Sequence, residues 1–249
     1  MKSGNLELDL EAPLRNNKGR GTRVVCRGRY GDTPAIIKLF QGLPKAWWHW
    51  KICNLHGKAV RDRGIPSPRV LWSGWDDSLQ AYLIVYENLQ DARDYEWIRQ
   101  TPGFQERLPG YRGLLTLLAQ MHAKGVEQSD TTPGNFLEQD GIVYAIDEDR
   151  MNIRTRALST RRSLRNVASL ITQFQQLTPQ EVSTLYDAYC HDRGWRVSSS
   201  DLKNLTKHIE NFRNWRKDKR GYRRKNILRY GSIVLVITAG SFLIFLGVR

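Results

Sequence analysis

The periodicity of apolar residues changes once along this chain, near residue 100, and that change limits the folds open to it. From about residue 18 to 40, GTRVVCRGRY and TPAIIKLF are β-favouring runs separated by a Gly-Asp turn, the pattern of a hairpin. Residues 45–63, beginning KAWWHWK, read as a helix that stops at the Gly64-Ile65-Pro66 breaker. RVLWSGWDDSLQAYLIVYENL then reads as two strands across an Asp-Asp-Ser turn. Residues 91–110 are a polar connector with Pro, Gly and a short helix. From 111 to 124, Leu114, Leu115, Leu117, Leu118 and Met121 fall at helical spacing, and further helical segments follow near 161–177, 179–191 and 199–217. A β-rich front joined to an α-rich back is an α+β layout in two lobes, with the connector lining a cleft between them.

A chain of 249 residues with 40% apolar content can bury a sizeable core, so disorder is excluded as its main state. Its net charge of +14 asks for an anionic partner, but the charge is local. Residues 211–229, NFRNWRKDKRGYRRKNILR, carry nine Lys/Arg against one Asp, which leaves only +6 for everything else. Next comes YGSIVLVITAGSFLIFLGV, residues 230–248, nineteen positions without a charge. As a helix it would be roughly 28 Å long, close to the hydrocarbon thickness of a bilayer. The expectation is therefore one C-terminal transmembrane helix that crosses the bilayer once. The basic flank would hold the folded body on the cytoplasmic side and attract anionic membrane lipids. No nucleic-acid module accompanies the charge, so nucleic acid is not expected as a partner. The N-terminus, MKSGNLELDLEAPL, lacks the apolar core of a secretory signal. Cys26, Cys53 and Cys190 are scattered, without metal-ligand spacing, and suit a reducing cytosol.

The chemical signal lies in SDTTPGNFLEQDGIVYAIDEDR, residues 129–150, where Asp130, Asn135 and Asp147 stand in the spacing D-x4-N-x11-D. A short apolar run, residues 142–146, precedes the last of them. Carboxylate and amide oxygens brought together suit a hard cation such as Mg²⁺, and a carboxylate off the metal can take a proton from an attacking hydroxyl. That is equipment for phosphoryl transfer. Read one at a time, Asp130 and Asn135 could equally be turn residues around Pro133-Gly134, and Asp147 a solvated strand end.

GIPSPRVLWSG (64–74), SDTTPGNFL (129–137), YAIDEDR (144–150) and RRSLRNVASL (161–170) look like the landmarks, in order, of the lipopolysaccharide core kinase family. Its members phosphorylate Kdo or heptose and belong to the protein-kinase-like superfamily. The similarity covers roughly residues 18 to 190. It implies a two-lobed protein-kinase-like fold that uses ATP and Mg²⁺ to phosphorylate a hydroxyl of a lipopolysaccharide core sugar at the cytoplasmic face of the bacterial inner membrane. The corresponding divisions are 1–90 for a nucleotide-binding lobe, 91–210 for a catalytic lobe, 211–229 for a basic juxtamembrane segment and 230–248 for the membrane span. Lys38 in AIIKLF matches the lysine on the nucleotide phosphates. Gly19 and Gly21 resemble a shortened glycine loop, with Val24 in place of a third glycine. Glu87 falls where a hinge backbone would hold adenine. Asp130 matches the catalytic base, and Asn135 and Asp147 the metal ligands.

The departures are specific. Gln128 replaces the His or Tyr usual two positions before the base. The segment WWHWKICNLHGKAVRDRG has no Glu to pair with Lys38; Cys53 or Asn54 falls at that place, and His56 or Asp62 would need a shift of register. Glu148 stands where an apolar residue is common. Two other readings therefore remain: a weak or inactive kinase-like scaffold at the membrane, and a small-molecule phosphotransferase of the aminoglycoside or choline type. Arg150, Arg154 and Arg156 are candidates to grip an anionic sugar.

Overall fold

The computed structural model describes residues 8–15, 23–42, 44–174 and 176–218. Its β-rich first part is a five-stranded antiparallel sheet of β1 (Leu8–Arg15), β2 (Arg23–Tyr30), β3 (Thr33–Phe40), β4 (Val70–Asp76) and β5 (Ala81–Glu87), in the order β1-β2-β3-β5-β4. The β2–β3 hairpin closes on Tyr30↔Thr33, and Gly31 supplies the left-handed φ of +55° that its two-residue turn requires. Period-2 alternation sorts β3 cleanly. Ala35, Ile37 and Leu39 join Leu83 and Val85 in one buried cluster. On the other face Phe40 packs with Ile84 and Tyr86 against Ala46 and Cys53 of α1 (Lys45–Asp62). Lys38 lies opposite Ile84 in register, on that same face beneath α1.

The helical second part is organised by α3 (Phe104–Ala123), whose Leu114, Leu115, Leu118 and Met121 are buried in the main core. Around it stand α4 (Thr160–Ile171), α5 (Pro179–Arg193) and α6 (199–218). Between strand β6 (Arg93–Asp94) and α3 lies the one-turn helix α2 (Trp97–Gln100), pressed on Gly110, where a Cβ would fall 2.6 Å from the Trp97 ring. Three short strands, β7 (Val126–Gln128), β8 (Phe136–Gln139) and β9 (Ile142–Ala145), precede β10 (Met151–Ile153). Sheet pairing joins β7 to β10 and runs β6-β8-β9.

The α+β layout is therefore as expected from the change of period. The expected transmembrane helix is corrected. Among the described residues no helix is long and apolar enough to cross a membrane. The longest, α3 and α6, carry charged residues such as Arg112, Lys203 and Lys207 along their length. The run 230–248 on which that expectation rested lies outside the described residues. Two boundaries also differ. Helix α3 starts at Phe104 rather than 111, because Phe104 and Leu108 pack on the core, and it runs through Pro109, which stands inside the helix. Helix α4 stops at Ile171 rather than 177, and the chain turns so that Phe174 reaches the Tyr111 ring edge-on at 5.1 Å.

Candidate active site

The hairpin β8–β9 sets the site. Gln139 pairs with Ile142 across Asp140 and Gly141, both with positive φ (51° and 75°), the geometry a tight Asp-Gly turn favours. With Phe136 opposite Ala145, the residues just outside the ladder are Asn135 and Ile146, and Ile146 N–H donates to the Asn135 carbonyl at 3.0 Å. The spacing x11 between Asn135 and Asp147 is thus the length of a hairpin that returns the chain to its starting point.

Two further bonds lace the 128–135 loop to the segment after β9. Gln128 Nε2 donates to the Ile146 carbonyl at 3.0 Å, and Ser129 N–H donates to the Arg150 carbonyl at 2.9 Å. Gln128 is buried, and its own carbonyl accepts from Asn166 Nδ2 on α4 at 2.8 Å. An amide at this position does what it needs to do: it ties the loop carrying Asp130 to the strand carrying Asp147.

Asp147 has φ 68° and ψ 58°, a left-handed backbone that costs a non-glycine residue roughly 1 kcal/mol or more. Strain of this kind persists only where surrounding contacts hold it, and here they are ionic. Lys38 Nζ, from β3, lies 3.3 Å from Asp147 Oδ1 and 3.4 Å from Glu148 Oε2. Arg23 Nη1, from β2, lies 3.2 Å from Asp147 Oδ1 and 3.0 Å from Asp149 Oδ1. Burial alone would raise the Asp147 carboxyl, but Lys38 and Arg23 outweigh it and hold the group below the usual aspartate value. Asp149 moves the other way, raised by burial and by the facing charge of Asp147. For Lys38, burial opposes the charge, while Tyr86, Glu148 and Asp147 together hold the ammonium above the ordinary lysine range.

Asp130 Oδ1 accepts from the Thr132 N–H at 3.2 Å and from Thr132 Oγ1 at 2.6 Å, an Asx turn that fixes its orientation. Asn135 Nδ2 donates to the Asp130 carbonyl at 2.9 Å, so the other end of its amide, Oδ1, is the one a cation would meet. Lys38 is thus paired with Asp147, and Asn135 joins the loop of Asp130 to Ile146, the residue before Asp147. Gly19 and Gly21 lie outside the described residues. Glu87 ends β5 and is committed to Arg69: its N–H donates to the Arg69 carbonyl at 2.9 Å, and its carboxylate accepts from Arg69 N at 2.8 Å. Arg150, Arg154 and Arg156 are exposed.

Among the described residues no group of three or more His, Cys, Asp or Glu is arranged to hold a metal. A Mg²⁺ site needs less, since that ion takes one or two protein oxygens and completes its shell with phosphate and water. Two adjacent carboxylates, Asp147 and Asp149, with the Asn135 amide at the strand end, fit that requirement. Residues not foreseen as members of the site are Arg23, Tyr86 and Asp149, with Glu148 foreseen only as an anomaly. Only the acidic run itself was a signal for them. Compared with known proteins, the chain matches no family model and no curated protein.

Proposed function

We propose that this protein is an ATP-dependent phosphotransferase with an alcohol hydroxyl as acceptor. The observation that carries the proposal is the 3.3 Å approach of Lys38, from the sheet, to the left-handed Asp147, from the helical part. A strained carboxylate facing a buried ammonium, beside a second loop bearing Asp130 and Asn135, supports phosphate chemistry over a structural ion pair.

Roles follow from position. Lys38 would meet the nucleotide phosphates, the role that the family resemblance implies for it. Asn135 and Asp147, with Asp149 adjacent, would hold Mg²⁺, which when bound neutralises charge on the phosphates. Asp130, its Oδ1 engaged by Thr132, keeps Oδ2 for a substrate hydroxyl. The acceptor oxygen attacks the γ-phosphorus, the bond to the β–γ bridging oxygen breaks, and the hydroxyl proton passes to Asp130. The products are a phosphate ester and ADP. The acceptor class implied by the family resemblance is a Kdo or heptose hydroxyl of a lipopolysaccharide core, an anionic glycan that the local positive charge of residues 211–229 would attract.

The test is transfer of labelled phosphate from ATP to lipid A–core acceptors, with Asp147→Asn as the control. Transfer by the natural protein and its loss in the variant is the expected result; equal rates refute the proposal.

A further inference from the structure

Lys38 has two acidic partners, and they are not equivalent. Asp147 is about one-fifth exposed in its side chain, while Glu148 is 1% exposed. Glu148 is enclosed by protein. Its Oε2 accepts from Tyr86 Oη at 3.1 Å, Arg61 Nη1 stands 3.9 Å from Oε1, and its backbone carbonyl meets His56 Nδ1 at 3.3 Å. The Tyr86 ring also lies beneath the ammonium, 5.0 Å from Nζ to the ring centre.

Helix α1 has yielded the space for this side chain. Its sole acidic residue, Asp62, is exposed and paired with Lys58 at 2.7 Å, one turn away along the same helix. Beside His56 and Arg61, two positions of α1 near the cluster are small. Cys53 is buried within electrostatic reach of Lys38, and Gly57 lies so close that a Cβ there would sit 3.5 Å from Glu148 Cγ. The thiol of Cys53 is pushed up to about 12 by burial and by Asp149, so it is neutral and cannot serve as the counter-charge.

We propose that Glu148 is the positioning residue for Lys38, supplying from the loop after β9 the carboxylate that α1 does not carry. The assignment rests on the phosphotransferase reading for its purpose, though the pair itself is a matter of geometry. A buried ammonium without a fixed counter-charge is strongly disfavoured. A partner that nucleotide or cation can draw away would leave Lys38 unanchored at the moment of use. Glu148, closed off on every side that its contacts define, stays with the lysine while Asp147 is free to serve the cation. Lysine placement and cation placement are then built into neighbouring residues of one turn.

The experiment uses the full chain and the variants Glu148→Gln, which keeps the side chain's volume, and Cys53→Glu/Glu148→Gln, which moves the carboxylate to α1. The first readout needs no nucleotide: acetylation of Lys38 at one fixed pH, followed by mass spectrometry. Glu148→Gln is expected to raise the Lys38 rate about tenfold, and the double variant to return it toward the natural value. In the second readout, Glu148→Gln is expected to lower kcat for transfer about a hundredfold, as for a misplaced catalytic group, with KM for ATP changed less than about fivefold. The double variant should recover at least a tenth of the loss. A Glu148 that serves stability alone would lower the unfolding midpoint, leave Lys38 labelling unchanged and show no rescue by Cys53→Glu; that result overturns the proposal. If the natural protein transfers no phosphate, the phosphotransferase reading fails, and labelling alone still decides whether Glu148 holds Lys38.

Discussion

His122, on the inner face of α3, links the helical core to the candidate active site, and its protonation tests that link. The ring is fully buried. Its Nε2 lies 2.9 Å from Asn166 Oδ1 and its Nδ1 2.8 Å from Tyr189 Oη. Since Asn166 donates its Nδ2 to the Gln128 carbonyl, its Oδ1 is an acceptor, which makes Nε2 the protonated nitrogen of a neutral ring and Nδ1 the acceptor of the Tyr189 hydroxyl. Burial lowers the pKa of this histidine from 6.5 to about 4, against a raising contribution from the Asn166 bond. A base whose folded pKa lies below its unfolded pKa contributes stability in full above pH 6.5 and loses it as pH falls toward 4, where the unfolded chain binds the extra proton. The shift corresponds to about 3 kcal/mol in all, of which about 2 kcal/mol is lost by pH 5. Urea unfolding at pH 7.5 and 5.0 measures it, with His122→Gln as the reference. His208 is lowered in the same direction, by partial burial and by Arg165, Arg161 and Lys207, so the difference between the proteins is the quantity to read. The variant should be less stable at pH 7.5 yet lose about 2 kcal/mol less on going to pH 5. The same pH loss in both proteins would refute the assignment of a neutral, buried His122.

Gly125 follows α3 with φ +75°, and a Cβ there would fall 2.6 Å from the carbonyls of both Arg154 and Arg156. Gly125→Ala should therefore cost at least about 2 kcal/mol, visible as a lower Tm; a change within about 0.5 kcal/mol would contradict the packing described. Gln128→Leu removes the bond to the Ile146 carbonyl while keeping the site filled, and is expected to cost about 1 to 3 kcal/mol. It should also depress phosphate transfer more than nucleotide affinity, which a kcat and KM comparison checks.

Much of the fold was legible because its elements are set by local patterns. The β2–β3 and β4–β5 hairpins, the start of α1 and the cores of α3 and α5 all follow from alternation, turn residues and helical spacing, which need no knowledge of distant partners. The ends of α3 and α4 were misjudged because Phe104, Leu108 and Phe174 owe their placement to tertiary packing. For the site, the D-x4-N-x11-D spacing marked Asp130, Asn135 and Asp147 as candidates, but of the β8–β9 hairpin that spans the interval only the second strand, 142–146, was expected. The partner of Lys38 was not legible. Sequence reading looks for it on α1, with Asp147 open to reading as a solvated strand end; contacts with Lys38, Tyr86, Arg61 and His56, all distant in sequence, make Glu148 an interior residue.

The left-handed turn at Asp147 explains how three consecutive acids can divide their labour. In an extended strand, residues 147 and 149 would share a face and 148 the other, but all would stay in one plane of the ladder. With φ 68° at Asp147 and a single 3₁₀ turn over Glu148–Arg150, the chain folds down under α1. Glu148 is driven inward against Tyr86 and Lys38, while Asp147 and Asp149 remain together on the side of Arg23. Replacing Glu148 with an apolar residue would fill the same space but leave Lys38 with a single counter-charge, the one a divalent cation also needs. The acid at 148 thus holds, within 3.4 Å of Lys38, a counter-charge position that a carboxylate on the facing side of α1 could equally fill. That equivalence is physical and can be exchanged, and moving the carboxylate to position 53 is accordingly expected to restore what removing it from 148 takes away.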